Sequence, residues 1–403
     1  MPTASPKAPS SLRKAWPLFL GMGTLMLGIG LQSTLLAYRG TLEGFAPIVT
    51  GMIMSCYYLG FLFGTTLSRK LVREVGHIRV FAALAAIASV SALVQGLFVN
   101  PWAWAATRLL SGLCLAGIYV VAESWLNDMA TPQNRGRLFA VYMLVLYLGL
   151  GIAQFLLLTA EPRSQSPFML IAGLISLALV PIMVSAGHAP AVDAPANVRI
   201  GDLFRSAPMG LVGVGVAGMV SAIIFSMGPV YARVAGLPPR GVASFMAVSI
   251  FAGALTQYPI GRLSDRFDRR TIIAWVCAIT TGIAAILVFF KALPHLLLLM
   301  LTAGFSGLAL TLYSVSVSHV NDKLQPAQMV AASSKLLRLN GSCAAVGPIM
   351  AGGLIATFGP RGYFGVLGAL MGVLAIYDGW RKLRRKPTPR NQKAPYMGTE
   401  PTA

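Results

Sequence analysis

The chain has 403 residues; 56% are hydrophobic, only 11% are charged, and the formal net charge is +20. A soluble domain carries about 25% charged residues, so this composition excludes a soluble globular protein and indicates an integral membrane protein. In such a protein a positive excess is typical of cytoplasmic loops that face anionic lipid head groups rather than of nucleic-acid binding. We therefore expect the lipid bilayer, and no nucleic acid, as a partner.

Apolar runs of about 20 residues, the length that a helix needs to cross roughly 30 Å of hydrocarbon, recur along the whole chain. They predict an all-α integral membrane protein with twelve transmembrane helices in two six-helix halves. The predicted spans are 16–37, 46–67, 79–99, 102–126, 138–159, 167–186, 208–231, 242–262, 271–291, 294–319, 328–357 and 362–380.

The loops between the spans predict the orientation. The side that holds both chain ends carries 25 Lys and Arg residues, whereas the opposite side carries six. By the positive-inside rule, both termini are cytoplasmic. We expect a cytoplasmic tail over 1–15 without the apolar core of a cleavable signal peptide, an N-terminal half over 16–186, a cytoplasmic linker over 187–207, a C-terminal half over 208–380 and a basic cytoplasmic tail over 381–403.

A repeat relates the two halves. The pattern S-x-x-N-D-x-x-x-P begins at Ser124 and again at Ser318, 194 residues later, and each copy follows the fourth span of its half. Two halves that repeat in the same orientation are typical of transporters whose substrate site lies between them, near the middle of the membrane.

Motifs in these loops resemble those of the major facilitator superfamily. Residues 261–270, GRLSDRFDRR, match its loop signature except at Asp268, where glycine is usual; the first-half copy has Ser68 at the aspartate position. Arg108-Leu-Leu-Ser-Gly112 is similar to its arginine motif. The runs GLCLAGIYVVAESWLND, GHIRVFAALAAI and GPVYAR resemble bacterial permeases of the YcaD type. The resemblance implies the major facilitator fold, transport across a bacterial inner membrane and a cytoplasmic latch at Asp265, but no particular substrate.

Arg108 is the most informative single residue. A charge inside a span costs about 2.5–3.5 kcal/mol on insertion scales, so it is a functional hypothesis by default. It lies about six residues inside the fourth span, on nearly the same helix face as Gly112 and Tyr119. We expect Arg108 to bind an anionic substrate group or to act on a nearby proton-carrying group; the alternative is a structural arginine bound to backbone carbonyls.

Glu123 lies about 22 Å further along the same helix at 1.5 Å per residue, too far to pair with Arg108. We expect a salt bridge at a cytoplasmic gate, with a basic loop residue such as Arg69, Arg73 or Arg79; a protonatable coupling site is the alternative. The predicted gate comprises Glu123, Asp128, Asp265, Arg266, Arg269, Asp322, Arg69 and Arg79.

The remaining candidates are polar or aromatic residues within spans, and the superfamily resemblance favours those in spans one, four, seven and ten, which line its cavity. For each of them an interhelical hydrogen bond, worth about 0.6 kcal/mol, is the simpler interpretation. The predicted substrate or coupling residues are Arg108, Tyr119, Gln32, Tyr57, Ser226 and Tyr313.

The sequence predicts a monomeric secondary active transporter, not an enzyme, that needs no cofactor or metal. It has no nucleotide-binding motif and no cluster of His and Cys residues, so the energy must come from a gradient. We expect this transporter to move a small organic solute by alternating access, coupled to protons. An amphipathic solute would suit an aromatic cavity. Export by antiport is favoured. The alternatives are uptake of a small anionic metabolite by symport or uniport, and a sensor that binds its ligand without moving it.

Overall fold

The computed structural model describes residues 11–131, 134–184, 200–290 and 293–382. Within these ranges the chain forms helices joined by turns and short loops. The helices are α1 Ser11–Leu42, α2 Pro47–Val75, α3 His77–Leu97, α4 Pro101–Met129, α5 Arg135–Leu156, α6 Ser166–Leu177, α7 Leu179–Val184, α8 Ile200–Ser206, α9 Pro208–Val234, α10 Pro239–Arg266, α11 Arg269–Phe289, α12 His295–Asn321, α13 Pro326–Phe358 and α14 Arg361–Lys382.

Within the described ranges, twelve segments are long and apolar enough to cross a membrane, with α6 and α7 together forming the sixth. The predicted all-α fold with twelve transmembrane helices is confirmed. Residues 1–10, 185–199 and 383–403 lie outside the described ranges, and with them most of the predicted tails and linker. The described end of the linker forms the short helix α8, where the sequence predicts only a polar connection.

The sixth span is interrupted, although the sequence predicts one continuous helix over 167–186. α6 ends at Leu177 and α7 begins at Leu179. Pro181 explains the break because it has no N–H to donate to the carbonyl of Leu177, and its ring crowds that carbonyl.

The two halves pack in the same way. In the N-terminal half α1 packs on α5, α2 on α4 and α3 on α6; in the C-terminal half α9 packs on α13, α10 on α12 and α11 on α14. Each pair in the second half is the counterpart of one in the first. The halves meet where α2 packs on α13, α5 on α10 and α1 on α9, so the space between them is enclosed by equivalent helices from both sides.

We call the end of the bundle that holds both chain ends the terminal face, and the opposite end, with the connections 43–46, 98–100, 157–165, 235–238 and 359–360, the loop face. Towards the loop face the halves touch closely. A Cβ at Gly51 would overlap the carbonyl of Pro348, and one at Gly352 would overlap that of Pro47. Only glycine allows α2 and α13 to approach this closely, and the bundle is closed at the loop face.

Candidate functional site

Arg108 is buried within the N-terminal half. α4 begins at Pro101, and Asn100 caps it, because its side-chain oxygen accepts hydrogen bonds from the N–H groups of Trp102 and Ala103 at 2.9 and 3.3 Å. Arg108 lies two turns further along and is only 2% exposed. The guanidinium therefore lies about two helical turns away from the loop face, inside the bundle.

Close packing of α2 on α4 brings Tyr57 to Arg108. A Cβ at Gly112 would overlap the carbonyl oxygen of Tyr57, and one at Gly60 would overlap that of Leu109, so these positions require glycine. The guanidinium carbon of Arg108 lies 4.5 Å from the centre of the Tyr57 ring. This is the geometry of a cation–π contact, which leaves the edges of the guanidinium free for hydrogen bonds.

No carboxylate neutralises Arg108 within the part of the chain that the structure describes. None of the ion pairs there includes it, and its Nε and Nη1 atoms are buried without a hydrogen-bond partner. Backbone carbonyls therefore do not satisfy these two donors. A buried cation without a counter-charge or acceptors is costly, and its donors suit an anionic group that arrives from outside the protein.

The surroundings of Arg108 reach across to the other half. Cys56, Tyr57 and Tyr58 lie within electrostatic range of the guanidinium. The Tyr58 hydroxyl approaches that of Ser226 on α9. We call Arg108, Tyr57, Tyr58 and Ser226 the arginine layer. The arginine layer therefore contains side chains from both halves.

Glu123 lies in a second group of polar residues, nearer the terminal face. Its carboxyl group interacts electrostatically with the phenols of Tyr119 on α4, Tyr142 on α5 and Tyr313 on α12. Glu123 and Tyr313 keep part of their surface exposed although protein surrounds them. They therefore border an internal space between the halves. We call these four residues the carboxylate layer.

Two of the three basic residues proposed as partners of Glu123 do not pair with it. Arg73 and Arg79 are exposed, and the side chain of Arg69 lies outside the described set. Among the described residues no ion pair includes Glu123. A carboxyl group in this setting can change between its charged and neutral forms without breaking a salt bridge.

Sequence reasoning did not single out Tyr142, nor Tyr147 on the same helix. Tyr142 is fully buried and its hydroxyl has no hydrogen-bond partner among the described residues. The Tyr147 hydroxyl approaches Gln257 on α10, which belongs to the other half. In the sequence these residues are two tyrosines five positions apart in an apolar helix. That spacing does not show which of the two faces the space between the halves.

Gln32 lies inside the N-terminal half instead of between the halves. Its Nε2 donates to Oε1 of Gln95 at 2.9 Å, and Nε2 of Gln95 donates to the Thr107 hydroxyl at 3.1 Å. These bonds join α1 to α3 and α4. Tyr119, by contrast, belongs to the carboxylate layer, and its hydroxyl donates to the Met26 sulfur at 3.4 Å.

Three predicted gate residues form one cluster in the C-terminal half. Nη2 of Arg269 lies 3.4 Å from Oδ1 of Asp265, and its Nη1 lies 3.4 Å from Oδ1 of Asp322. The Arg269 and Asp322 side chains are 1% and 3% exposed. The pairs join α10, α11 and the end of α12, all of the same half, so in this conformation they connect helices within a half. Arg266 is exposed beside them.

In the equivalent region of the N-terminal half, a histidine contacts a serine and a tryptophan. His77 Nε2 lies 3.1 Å from the Ser124 hydroxyl, and its ring stacks on Trp125 with the ring centres 6.4 Å apart. Asp128 lies nearby at the end of α4 and is exposed. The sequence repeat thus corresponds to ion pairs in one half and to a histidine–serine hydrogen bond in the other.

Among the described residues, a hydrogen bond joins the halves towards the terminal face. Nη2 of Arg338 on α13 donates to the Thr66 hydroxyl on α2 at 2.8 Å. Neither residue belongs to the predicted gate. The contact follows from the packing of α2 on α13 along much of their length.

The profile of the Major Facilitator Superfamily matches residues 18–337 and, in an overlapping stretch, 241–398. The chain belongs to this family and is a multi-pass membrane transporter. The predicted family resemblance is thereby confirmed.

Two relatives show to which members of the family the chain is similar. An uncharacterised MFS-type transporter of Enterobacter sp. (strain 638) is 29% identical over 379 residues, 92% of this chain and 96% of that protein. The uncharacterised MFS-type transporter YcaD of Escherichia coli O6:K15:H31 (strain 536 / UPEC) is 30% identical over 323 residues, 79% and 83% of the two chains. The chain is therefore similar to the YcaD-type transporters, as its sequence motifs predict.

Solved structures share the fold. The nucleoside transporter NupG superposes with a TM-score of 0.77 at 15% identity, covering 93% of this chain and 100% of that one. A bacterial homologue of the human lysosomal transporter Spinster, in an inward-facing and occupied conformation, gives a TM-score of 0.77 at 14% identity, covering 96% and 99%. These likenesses establish the major facilitator fold and carry no information on this chain's substrate.

Proposed function

We propose that this protein is a proton-coupled secondary transporter that moves a small organic solute with one anionic group across a bacterial inner membrane. Arg108 carries the proposal: it is buried, lacks a carboxylate partner among the described residues and presents two unsatisfied donors. In this account the anionic group occupies these donors, because a guanidinium binds planar anions through two parallel hydrogen bonds. The charge count of the loops supports a cytoplasmic location for both termini.

The aromatic surroundings favour an amphipathic solute. Tyr57 covers one face of the guanidinium, and Tyr58 and Phe61 lie near Tyr57, with ring centres 5.2 and 6.3 Å away. Such a wall suits an apolar or aromatic body attached to the anionic group. A solute bound to Arg108 through its anion would place its body between the arginine and carboxylate layers.

Glu123 is the proposed proton site. It borders the internal space, and no described basic residue neutralises it. Closing the space around a charged carboxylate would be costly, whereas the protonated form can be enclosed among three phenols. Protonation of Glu123 would therefore favour the conformational change that closes the terminal face.

The separation of the two layers favours symport over antiport. Arg108 and Glu123 lie about 22 Å apart along α4, so a proton and an anion can be bound at the same time without competing for one site. Exchange by direct competition would require a shared site. We accordingly favour the joint movement of proton and solute, in place of the export by antiport that we expect from the sequence.

Flux into proteoliposomes tests this function. The purified protein is reconstituted, a pH gradient is imposed with the acidic side outside, and uptake of a radiolabelled panel of aromatic and aliphatic monocarboxylates is compared with that of the corresponding neutral amides. We expect a carboxylate to accumulate inside to a higher level than in protein-free liposomes, which weak acids also enter in their neutral form. Gradient-driven expulsion from preloaded vesicles would indicate antiport, and saturable binding without any flux would indicate a sensor.

A further inference from the structure

A cavity of about 640 Å³ opens at the loop face of the C-terminal half, apart from the space between the halves. It lies among the ends of α9 and α11 and the beginnings of α12 and α14. Its walls include Tyr231, Leu237, His295, Phe358 and Arg361. None of these residues belongs to the arginine or carboxylate layer, so the proposed transport function leaves this cavity unexplained.

The polar part of the cavity is suited to an anion. Arg361 and His295 stand on its wall, and no acidic residue is among the described residues that line it. These two residues are also the first residues of α14 and α12. The residue before α12 is Pro294, whose side chain cannot accept a hydrogen bond. It therefore does not cap the first N–H groups of α12. Helix N-termini attract negative charge, and here two of them meet at one cavity.

Tyr231 gives independent evidence for a ligand. It lines the cavity and is only 6% exposed, yet its hydroxyl makes no hydrogen bond to any residue that the structure describes. Its ring is fixed by stacking on Tyr363, with the ring centres 4.7 Å apart. The hydroxyl is held at the cavity wall without an acceptor among the described residues, so a group bound in the cavity can accept its hydrogen bond.

The location indicates a lipid. The cavity lies where spans end, at the level expected for head groups, and its remaining walls are apolar. Large apolar side chains next to it face outward: Phe289 is 78% exposed, Phe358 66%, Leu296 64% and Phe290 62%. A phospholipid has its phosphate beside its acyl chains, which matches donors inside the cavity and apolar surface at its rim.

We propose that this cavity binds the head group of an anionic phospholipid from the leaflet at the loop face, with the phosphate between Arg361, His295 and the Tyr231 hydroxyl. A lipid held in this way would connect the end of α9 to the beginning of α14. Since α9 also contacts the N-terminal half through the hydrogen bond from Ser33 to the Phe225 carbonyl, the lipid would stabilise a helix at the interface of the halves.

Native mass spectrometry of the purified full-length protein, titrated with phosphatidylglycerol, phosphatidylcholine or inorganic phosphate, tests the proposal. We expect phosphatidylglycerol to bind more tightly than phosphatidylcholine. Arg361→Gln should weaken it roughly tenfold, the effect of losing a charge-assisted hydrogen bond. Tyr231→Phe, which keeps the ring and removes only the hydroxyl, should weaken it by a smaller factor.

Arg240→Gln is the matched control, because Arg240 is exposed at the same face and does not line the cavity; it should bind the lipid like the wild type. Three outcomes would overturn the proposal. They are unchanged phosphatidylglycerol affinity in both Arg361→Gln and Tyr231→Phe, equal affinity for the two lipids, and displacement of the lipid by inorganic phosphate at equal concentration, which would indicate a site for free anions. Unfolding midpoints of all variants confirm that they are folded.

Discussion

The guanidinium of Arg108 lies 4.5 Å from the centre of the Tyr57 ring, and no described carboxylate neutralises it. The ring supplies a partial negative face, and two buried donors of the guanidinium have no hydrogen-bond partner among the described residues. This relationship accounts for a charge that the membrane otherwise disfavours.

Tyr57→Phe should keep most of the solute affinity, whereas Tyr57→Leu should lower it. Phenylalanine retains the aromatic face and leucine does not, and a buried cation–π contact is worth about 2 kcal/mol, or up to roughly thirtyfold in affinity. Affinities of the transported carboxylate, measured by scintillation proximity on the purified variants, give the answer. Equal losses for the two variants would show that the hydroxyl, and not the ring, supports Arg108.

Glu123→Gln should abolish accumulation driven by a pH gradient while exchange of internal for external solute continues. Glutamine resembles the protonated carboxyl group and cannot release a proton, so transport loses its coupling but not its solute site. Counterflow and gradient-driven uptake in the same proteoliposomes separate the two activities. Persistent accumulation in Glu123→Gln would assign proton coupling to another group.

Gly112→Ala should destabilise the protein, since its Cβ would overlap the Tyr57 carbonyl. Overpacking of this kind costs about 1–3 kcal/mol, and the midpoint of thermal unfolding in detergent should fall. Gly173→Ala is the control: nothing lies within 4 Å of a Cβ at that position. A fall of equal size in both variants would mean that helix packing at Gly112 is not the cause.

Asp322→Asn should destabilise the protein more than Asp265→Asn, although both remove a partner of Arg269. The Asp322 side chain is 3% exposed and that of Asp265 is 46% exposed. Breaking a buried pair costs about 3–5 kcal/mol, whereas an exposed pair contributes about 0–1 kcal/mol. Denaturation midpoints of the two variants provide the comparison, and a larger effect from Asp265→Asn would reverse this assignment.

The sequence was sufficient for those features that depend on composition and length. The twelve spans follow from apolar runs that must cross the hydrocarbon, and Arg108 is conspicuous because a charge in a span is rare. The interruption at Ala178 was missed because a proline three residues later can either kink a helix or be accommodated in it. The spacing along one helix predicted how far along the span Glu123 lies. It could not predict which side chains of other helices lie next to it.

Contacts between helices could not be derived in the same way. Glu123 interacts with phenols carried by α5 and α12, and no local sequence pattern encodes that these side chains come near it. Gln32 is a polar residue within a span, which is typical of a cavity wall, yet its side chain hydrogen-bonds to Gln95 inside one half. The motif around Asp265 resembles a latch between halves, whereas in this conformation the ion pairs of Arg269 with Asp265 and Asp322 lie within one half.

The most direct test of the central claim is ligand-induced stabilisation of the wild type, Arg108→Lys and Arg108→Gln by benzoate and longer aryl carboxylates, each paired with its neutral amide. Ligand at about 100 times its dissociation constant stabilises a folded protein by about 2.7 kcal/mol. We predict that carboxylates raise the unfolding midpoint of the wild type and amides do not. The effect should be reduced in Arg108→Lys, which keeps the charge but loses the paired donors, and absent in Arg108→Gln. Equal stabilisation of the wild type and Arg108→Gln by the same carboxylate would contradict the claim that Arg108 binds the anionic group.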